Sequence, residues 1–317
     1  MRITVIGATG HVGSYLVPRL VELGHEVTAV SRGRREAYKT HAAWKQVRRV
    51  ILDREALESD GRFADRILAL SPEIVIDMIC FTAESARHLV EALNGALQHY
   101  LACGTIWVHG YSTIVPATES LPRKPFGEYG IRKEEMERYL LEQARLRRFP
   151  ATVLHPGHIV GEGWPPLNPA GNFNPSVFEI LAREEELVLP NLGLETVHHV
   201  HADDVAQGFV KAIGNWSTSV GESFHLVSPA ALTLRGYAEH MAAWFGMKPN
   251  IRFLPWEQWK ETVSEEEAWF TWDHIAHSPN CSIEKAKRLL NYAPRYGSLE
   301  AVCESVRWLI EHDLISV

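Results

Sequence analysis

The chain has 317 residues, 46% hydrophobic and 22% charged, which fits a globular protein and shows no internal repeat or low-complexity linker. Its length suits one large domain with an appendage, or two domains sharing a cleft. The net charge of -7 argues against a general nucleic-acid surface, and four scattered cysteines (Cys80, Cys103, Cys281, Cys303) without a C-x-x-C pair suit a reducing compartment and offer no thiolate metal site.

The first apolar run is too short for a signal segment or a membrane span, so a cytoplasmic protein with no membrane partner is expected. That run, Ile3-Thr4-Val5-Ile6, leads into Gly7-Ala8-Thr9-Gly10-His11-Val12-Gly13 and then an amphipathic segment, Tyr15–Leu23. The order is strand, glycine turn, helix. Such a turn brings a dinucleotide's pyrophosphate close to backbone, and the helix start offers free N–H groups; the same pattern also serves a ligand-free strand–helix turn. Further strands are predicted at Glu26–Val30, Val47–Ile51, Ile74–Asp77, Tyr100–Cys103 and Thr152–Leu154, with helices between them. Short apolar strands alternating with helices define an α/β class, a Rossmann-like doubly wound parallel sheet. Ligands of such sheets lie beyond the carboxyl ends of the strands.

After the second strand come Ser31 and Arg32, where an acidic residue would have suited a ribose 2′-hydroxyl. A hydroxyl and guanidinium groups suit a 2′-phosphate instead, so NADP is favoured over NAD; the alternative is a solvated basic loop. After the third, Asp53 suits either an adenine amino group or a helix N-cap. After the fourth, Asp77-Met78-Ile79-Cys80-Phe81 runs either under the cofactor or along a buried strand end. After the fifth come Cys103, Gly104 and Thr105, then a Pro-rich loop into Tyr129-Gly130-Ile131-Arg132-Lys133 at a helix start. Tyr129 and Lys133 share a helical face, so the ammonium is expected to lower the phenol pKa and fit Tyr129 for proton transfer near neutral pH. Thr105 can hold the same substrate oxygen.

With these segments the chain resembles the extended short-chain dehydrogenases/reductases, the NAD-dependent epimerase/dehydratase family. The resemblance runs from Met1 to about Val227. Its carriers are the Gly7–Gly13 loop, Thr105, Tyr129-x-x-x-Lys133, the segment His155-Pro156-Gly157-His158-Ile159-Val160-Gly161, and His201-Ala202-Asp203-Asp204. It implies a bound nicotinamide dinucleotide, Tyr129 as acid/base, Lys133 on the nicotinamide ribose, Thr105 orienting the substrate oxygen, and Cys103, Pro156 and His158 near the cofactor. Dehydratase relatives carry Asp-Glu after the catalytic hydroxyl residue; here Ile106 and Trp107 stand there, which speaks against dehydration. The arginine that grips a nucleotide-sugar pyrophosphate is Val197, and a second is His155. Arg183 and Arg235 are possible substitutes. The implied substrate is a free sugar, sugar acid, lactone or similar small polyol rather than a standard nucleotide sugar.

The second half is looser. The expected division is a dinucleotide domain over residues 1–160, joined again by a segment near 196–228, and a smaller, mainly helical substrate lobe over 161–317. The turn-rich loop Trp164–Pro175 supplies Asn172, either a substrate contact or a cap. His198, His199 and His201 alternate across a strand, which spreads their rings, so no metal is expected, and His199 and His158 are read as pocket residues. Asp203-Asp204 are read as a helix start, and the many tryptophans as packing for the lobe.

The expected function is an NAD(P)-dependent oxidoreductase acting on a sugar-like small molecule. The alternatives are an epimerase with retained cofactor, with a nucleotide sugar still open as its substrate, and a non-catalytic dinucleotide-binding regulator or RNA-binding protein. A homodimer is expected through the helices Ala83–Leu93 and Tyr129–Leu146, with Leu89 and Leu93 facing outward.

Overall fold

The computed structural model describes residues 1–317. Its strands, in chain order, are β1 (Arg2–Ile6), β2 (Glu26–Ser31), β3 (Arg48–Ile51), β4 (Ile74–Asp77), β5 (His99–Cys103), β6 (Ala151–Pro156), β7 (His158–Val160), β8 (Leu187–Pro190), β9 (Thr196–Val197), β10 (His199–His201), β11 (Ser223–Leu226), β12 (Leu232–Thr233) and β13 (Ile251–Leu254). Seven of them form one sheet in the order β11-β6-β5-β4-β1-β2-β3, with all neighbours parallel. The chain runs outward in both directions from the β1/β4 pair. That reversal leaves a crevice at the carboxyl ends of these two strands.

Helices cover both faces. The strands between them are apolar on both sides because both sides are buried. One face packs Ile3, Val5, Leu16, Leu20 and Phe209 against helices His11–Glu22 and Ala202–Gly214. The other packs Ile6, Val75, Leu89, Leu93 and Met136 against helices Ala83–Leu93 and Gly127–Arg147. Leu89 and Leu93 thus point inward, contrary to expectation, and both are fully buried. With Ala86 and Val90 they make one stripe at helical spacing, buried in the core that the sheet shares with helices Phe63–Leu68 and Gly127–Arg147. What faces out is polar: Glu84, Arg87 and Glu91.

A third cluster, including Leu187, Tyr237, Met241, Trp259 and Val306, builds a lobe beyond the sheet's carboxyl edge. Its tryptophans divide: Trp259 is buried, while Trp269 is 59% and Trp272 43% exposed, so those two do not pack the lobe. The lobe also holds helix Glu265–His277, started by a capping box between Ser264 and Glu267. No helix of the chain is long and apolar enough to cross a membrane.

The glycine turn is fixed by space as well as by conformation. Gly7 has φ +81°, and a Cβ there would lie 2.9 Å from Ile79 Cγ2. A Cβ on Gly13 would lie 2.2 Å from the Ala8 carbonyl oxygen, so the helix seats directly on the strand end. Gly13→Ala is expected to lower stability by about 1–3 kcal/mol through overpacking, read as an earlier urea midpoint at an unchanged m-value.

Candidate active site

The phosphate end forms first in sequence. Helix His11–Glu22 is preceded by Gly10, which offers no side-chain cap, so the first N–H groups of the helix are free for an anion. A cleft of about 300 Å³ opens there, lined by Gly7, Thr9, Gly10, Ser31, Arg32 and Ile79, among others. Arg32 forms no ion pair, whereas Arg34 pairs with Asp53 at 3.3 Å. Asp53 also caps helix Arg54–Ser59, accepting from the Ala56 N–H, so its carboxylate already has protein partners. The His11 ring turns from the cleft and stacks on Trp164 at 5.2 Å. Burial drives its pKa down to about 3, so it is neutral, and only its backbone and that of Val12 belong to the loop's anion site. Free amides, bare glycines and a guanidinium rim fit the phosphates of a dinucleotide.

The floor comes from β4. Asp77 is fully buried and accepts from Arg54 Nη1 at 2.8 and 2.9 Å and from the Tyr100 hydroxyl at 2.9 Å. Met78 and Ile79 follow, directly against Gly7. The carbonyls of Cys80, three residues past β4, and of Cys103, at the end of β5, each accept from Lys133 Nζ at 2.8 Å. Burial raises both thiols, Cys80 to about 12, so neither is a thiolate.

Above this floor stands Tyr129, 44% exposed to the open cleft. The Thr105 hydroxyl lies beside its phenol and caps the turn Ile106–His109 by accepting from the Trp107 N–H at 3.3 Å. Thr105, Tyr129 and Lys133 therefore come together. The lowered phenol pKa expected from the sequence does not. Desolvation, then the Cys103 thiol, push Tyr129 up to about 12, and the neighbouring Thr105 hydroxyl offsets this only in part. Lys133 does not reverse this because its ammonium is turned down into the two carbonyls, 6.0 Å from the Tyr129 ring centre. Burial lowers the Lys133 pKa as well.

On the substrate side, Trp107 meets Tyr129 edge-on at 5.9 Å and stacks on His277 at 4.1 Å. His158 lies 6.2 Å from Trp107 and 5.0 Å from His274. Neither of its ring nitrogens has a hydrogen-bond partner, and burial, then His274 and His199, hold it neutral. Pro156 ends β6 two residues before it. His199 sits behind, its Nε2 donating to the Leu167 carbonyl at 3.0 Å. Asn172 is a brace: its Oδ1 accepts from Asn168 at 2.6 Å and from the Asn174 N–H at 3.0 Å, and its amide donates to Thr271 at 3.2 Å. Those bonds use the atoms a substrate would need. His198, His199 and His201 diverge to three partners, Ser228, Leu167 and Glu304. Asp203 binds Arg19, and Asp204 accepts from the N–H groups of Arg295 and Tyr296, while His201 caps the helix they begin.

His274 and His277 were not foreseen from the sequence. The signal was present: Ser264-x-x-Glu267 is a capping box that predicts the helix carrying them. Val197 is buried in the lobe core, and Arg183 and Arg235 form half-exposed pairs with Glu179 and Glu239, four residues away in each case.

A dinucleotide cradle and a Thr–Tyr–Lys group meeting at the carboxyl edge of a doubly wound sheet define a nicotinamide-dependent enzyme of the extended short-chain dehydrogenase/reductase class. The sequence pattern of the NAD dependent epimerase/dehydratase family matches residues 3–226, and the chain belongs to that family. Chloroplast stem-loop binding protein of 41 kDa b from Arabidopsis thaliana is 26% identical, over 96% of this chain and 78% of that protein. The 2'-dehydrokanamycin reductase of Streptomyces kanamyceticus is also 26% identical, over 98% of this chain and 85% of its own length. UDP-glucose 4-epimerase of Thermotoga maritima, solved with UDP-glucose, shares the fold with a TM-score of 0.75 at 20% identity, covering 98% of this chain and 99% of that one.

Proposed function

We propose that the protein is an NADP-preferring oxidoreductase that interconverts a hydroxyl and a carbonyl on a small sugar-like molecule. The carrying observation is the stack of Thr105, Tyr129 and Lys133, with the Lys133 ammonium tied to the Cys80 and Cys103 carbonyls beneath the phenol. A bound nicotinamide supplies the hydride donor or acceptor. Thr105 and Tyr129 hold the substrate oxygen, and Tyr129 passes its proton. Lys133 holds the nicotinamide ribose with the N–H that the Cys80 and Cys103 carbonyls leave free. Trp107, flat on His277, walls the reacting carbon from water where a dehydratase would place an acid. Val197 supports a substrate without a pyrophosphate. The supporting experiment is a screen of sugars, sugar acids and lactones against NADP and NAD, and absence of net turnover with all of them would count against the reading.

The raised Tyr129 pKa sets a pH signature. The phenol keeps its proton through neutral pH, ready to act as an acid but not as a base. Carbonyl reduction is expected to be flat between about pH 6 and 9, while alcohol oxidation climbs about tenfold per pH unit there. An oxidation rate that levels off below about pH 8 would mean that ligands lower the phenol pKa.

Arg32→Ala is expected to weaken NADP binding about 10- to 100-fold, from loss of a charge-assisted contact to the 2′-phosphate, and to leave NAD unchanged. Fluorescence titration with both cofactors checks this; equal effects on both would remove the 2′-phosphate role.

Two other readings rest on the relatives. Several are named UDP-glucose 4-epimerase, including that of Streptococcus mutans at 23% identity over 96% of this chain, which supports transient oxidation with a retained cofactor. Cofactor that survives gel filtration, with inversion at one carbon and no net redox change, would favour it. The stem-loop binding relative supports an RNA ligand, against which the net charge of -7 stands.

A further inference from the structure

We propose that His109, His155 and His225, with the Glu137 carboxylate, form a buried site for one divalent transition-metal ion of the zinc class. The cluster lies behind the catalytic group, one helical turn beyond Lys133. It is separate from the His198–His201 run.

Four elements bring it together. His155 on β6 and His225 on β11 are direct register partners across a parallel pair. His109 ends the turn that Thr105 begins, and Glu137 follows Lys133 by four residues on helix Gly127–Arg147. The three imidazoles each offer a ring nitrogen, and these lie within 4.8 Å of one another. His109 Nε2 is 2.8 Å from His225 Nε2, and His155 Nε2 is 2.8 Å from Glu137 Oε2. His155 and His225 are fully buried and His109 is 9% exposed.

The surroundings suit an ion. The His225 Nδ1–H donates to the Ser282 carbonyl at 3.1 Å, which turns its Nε2 lone pair inward, as a metal ligand requires. His109 Nδ1, His155 Nδ1 and Glu137 Oε1 are buried without any partner, and the Nε2 atoms pair only within the cluster, so an ion would replace two internal contacts and no bond to the rest of the fold. Two carboxylates, Glu137 and Glu119, face it against one guanidinium, Arg123; Glu119 accepts from the His225 N–H at 2.9 Å, and Arg123 pairs with Glu137. Lys285, nearby, is bound by Glu222 and the Ser223 carbonyl. Space for the His155 ring depends on Gly104, where a Cβ would fall 2.4 Å from the ring's Cδ2. An open cleft of about 890 Å³, lined by Glu119, Arg123, Glu137, Ser223 and Ser282 among others, gives an entry path.

Three imidazoles and one carboxylate are a borderline nitrogen–oxygen set, which selects zinc-class ions over calcium or magnesium. A tetrahedral ion with bonds of about 2.0–2.1 Å holds its nitrogens about 3.3 Å apart, so His109 and His225 need part by only about 0.5 Å.

The test uses chelator-treated full-length protein titrated with Zn²⁺ alone, with Co²⁺ in parallel. One ion per chain is expected, with a dissociation constant near or below about 1 μM, a raised Tm and visible Co²⁺ bands. His225→Gln should abolish binding and Glu137→Gln weaken it at least about tenfold. Because a buried variant can fail to fold, wild-type crystals soaked in Zn²⁺ supply the second measurement, with anomalous density expected among these four side chains. Binding below about 0.1 equivalent at 100 μM Zn²⁺ overturns the proposal, and so does density at the His158–His274 cleft or on the surface.

Discussion

Tyr129→Phe is expected to lower turnover by about 10²- to 10⁴-fold while leaving dinucleotide affinity within about twofold. The ring is retained, so its contacts with Trp107 at 5.9 Å and Phe81 at 6.5 Å survive, and only the hydroxyl beside Thr105 is lost. Lys133 stays where it is because its partners are backbone carbonyls, not the phenol. Stopped-flow or steady-state rates, with a cofactor titration on the same sample, separate the two effects. A variant that keeps its turnover would leave no proton carrier in the proposed mechanism. A variant that keeps its biological activity without any turnover would favour a binding role, such as the one named for the stem-loop binding relative.

Asp77→Ala is expected to cost about 3–5 kcal/mol of stability, the largest effect foreseen for a single side chain outside the reacting group. Asp77 is fully buried at the end of β4 and accepts from Arg54, Tyr100 and the Ile79 N–H. Removing it leaves the Arg54 guanidinium buried with only Glu58 at 2.7 Å, strands the Tyr100 hydroxyl and frees the Ile79 N–H. Asp77→Asn keeps the shape but not the charge and should recover part of the loss. Urea unfolding measures both. A cost below about 1 kcal/mol for the alanine variant would show that Glu58 and water compensate the guanidinium. Met78 and Ile79 follow this carboxylate directly, so cofactor affinity should fall along with stability.

Much of the architecture was legible in the sequence because strands buried on both faces read as unbroken apolar runs. The first six sheet strands were foreseen to within two residues at each end, and the seventh, β11, corresponds to a strand expected over Ser223–Val227. Helical spacing alone put Tyr129 and Lys133 on one face. It did not carry the phenol's pKa, which depends on how deeply the hydroxyl sits and on where the ammonium turns. The same spacing marked Leu89 and Leu93 as a stripe but not its partner, which is the core shared by the sheet and the neighbouring helices of the same chain. Asn172 looked like a substrate contact because a loop asparagine advertises hydrogen bonds without naming their recipients; Asn168, Asn174 and Thr271 take them. The meeting of His109, His155 and His225 was hidden for a different reason, since it follows from the placement of β11 beside β6.

An ammonium group carries three N–H bonds. In Lys133 two of them are fixed, to the Cys80 and Cys103 carbonyls, each at 2.8 Å. Free rotation of the group is thereby removed, and a single hydrogen is left with one direction to point. The residue acts on any ligand as a directional donor whose aim is set during folding, so little orientational entropy remains to be lost on binding. Arginine, with a flat fork of five donors, could not reproduce that geometry.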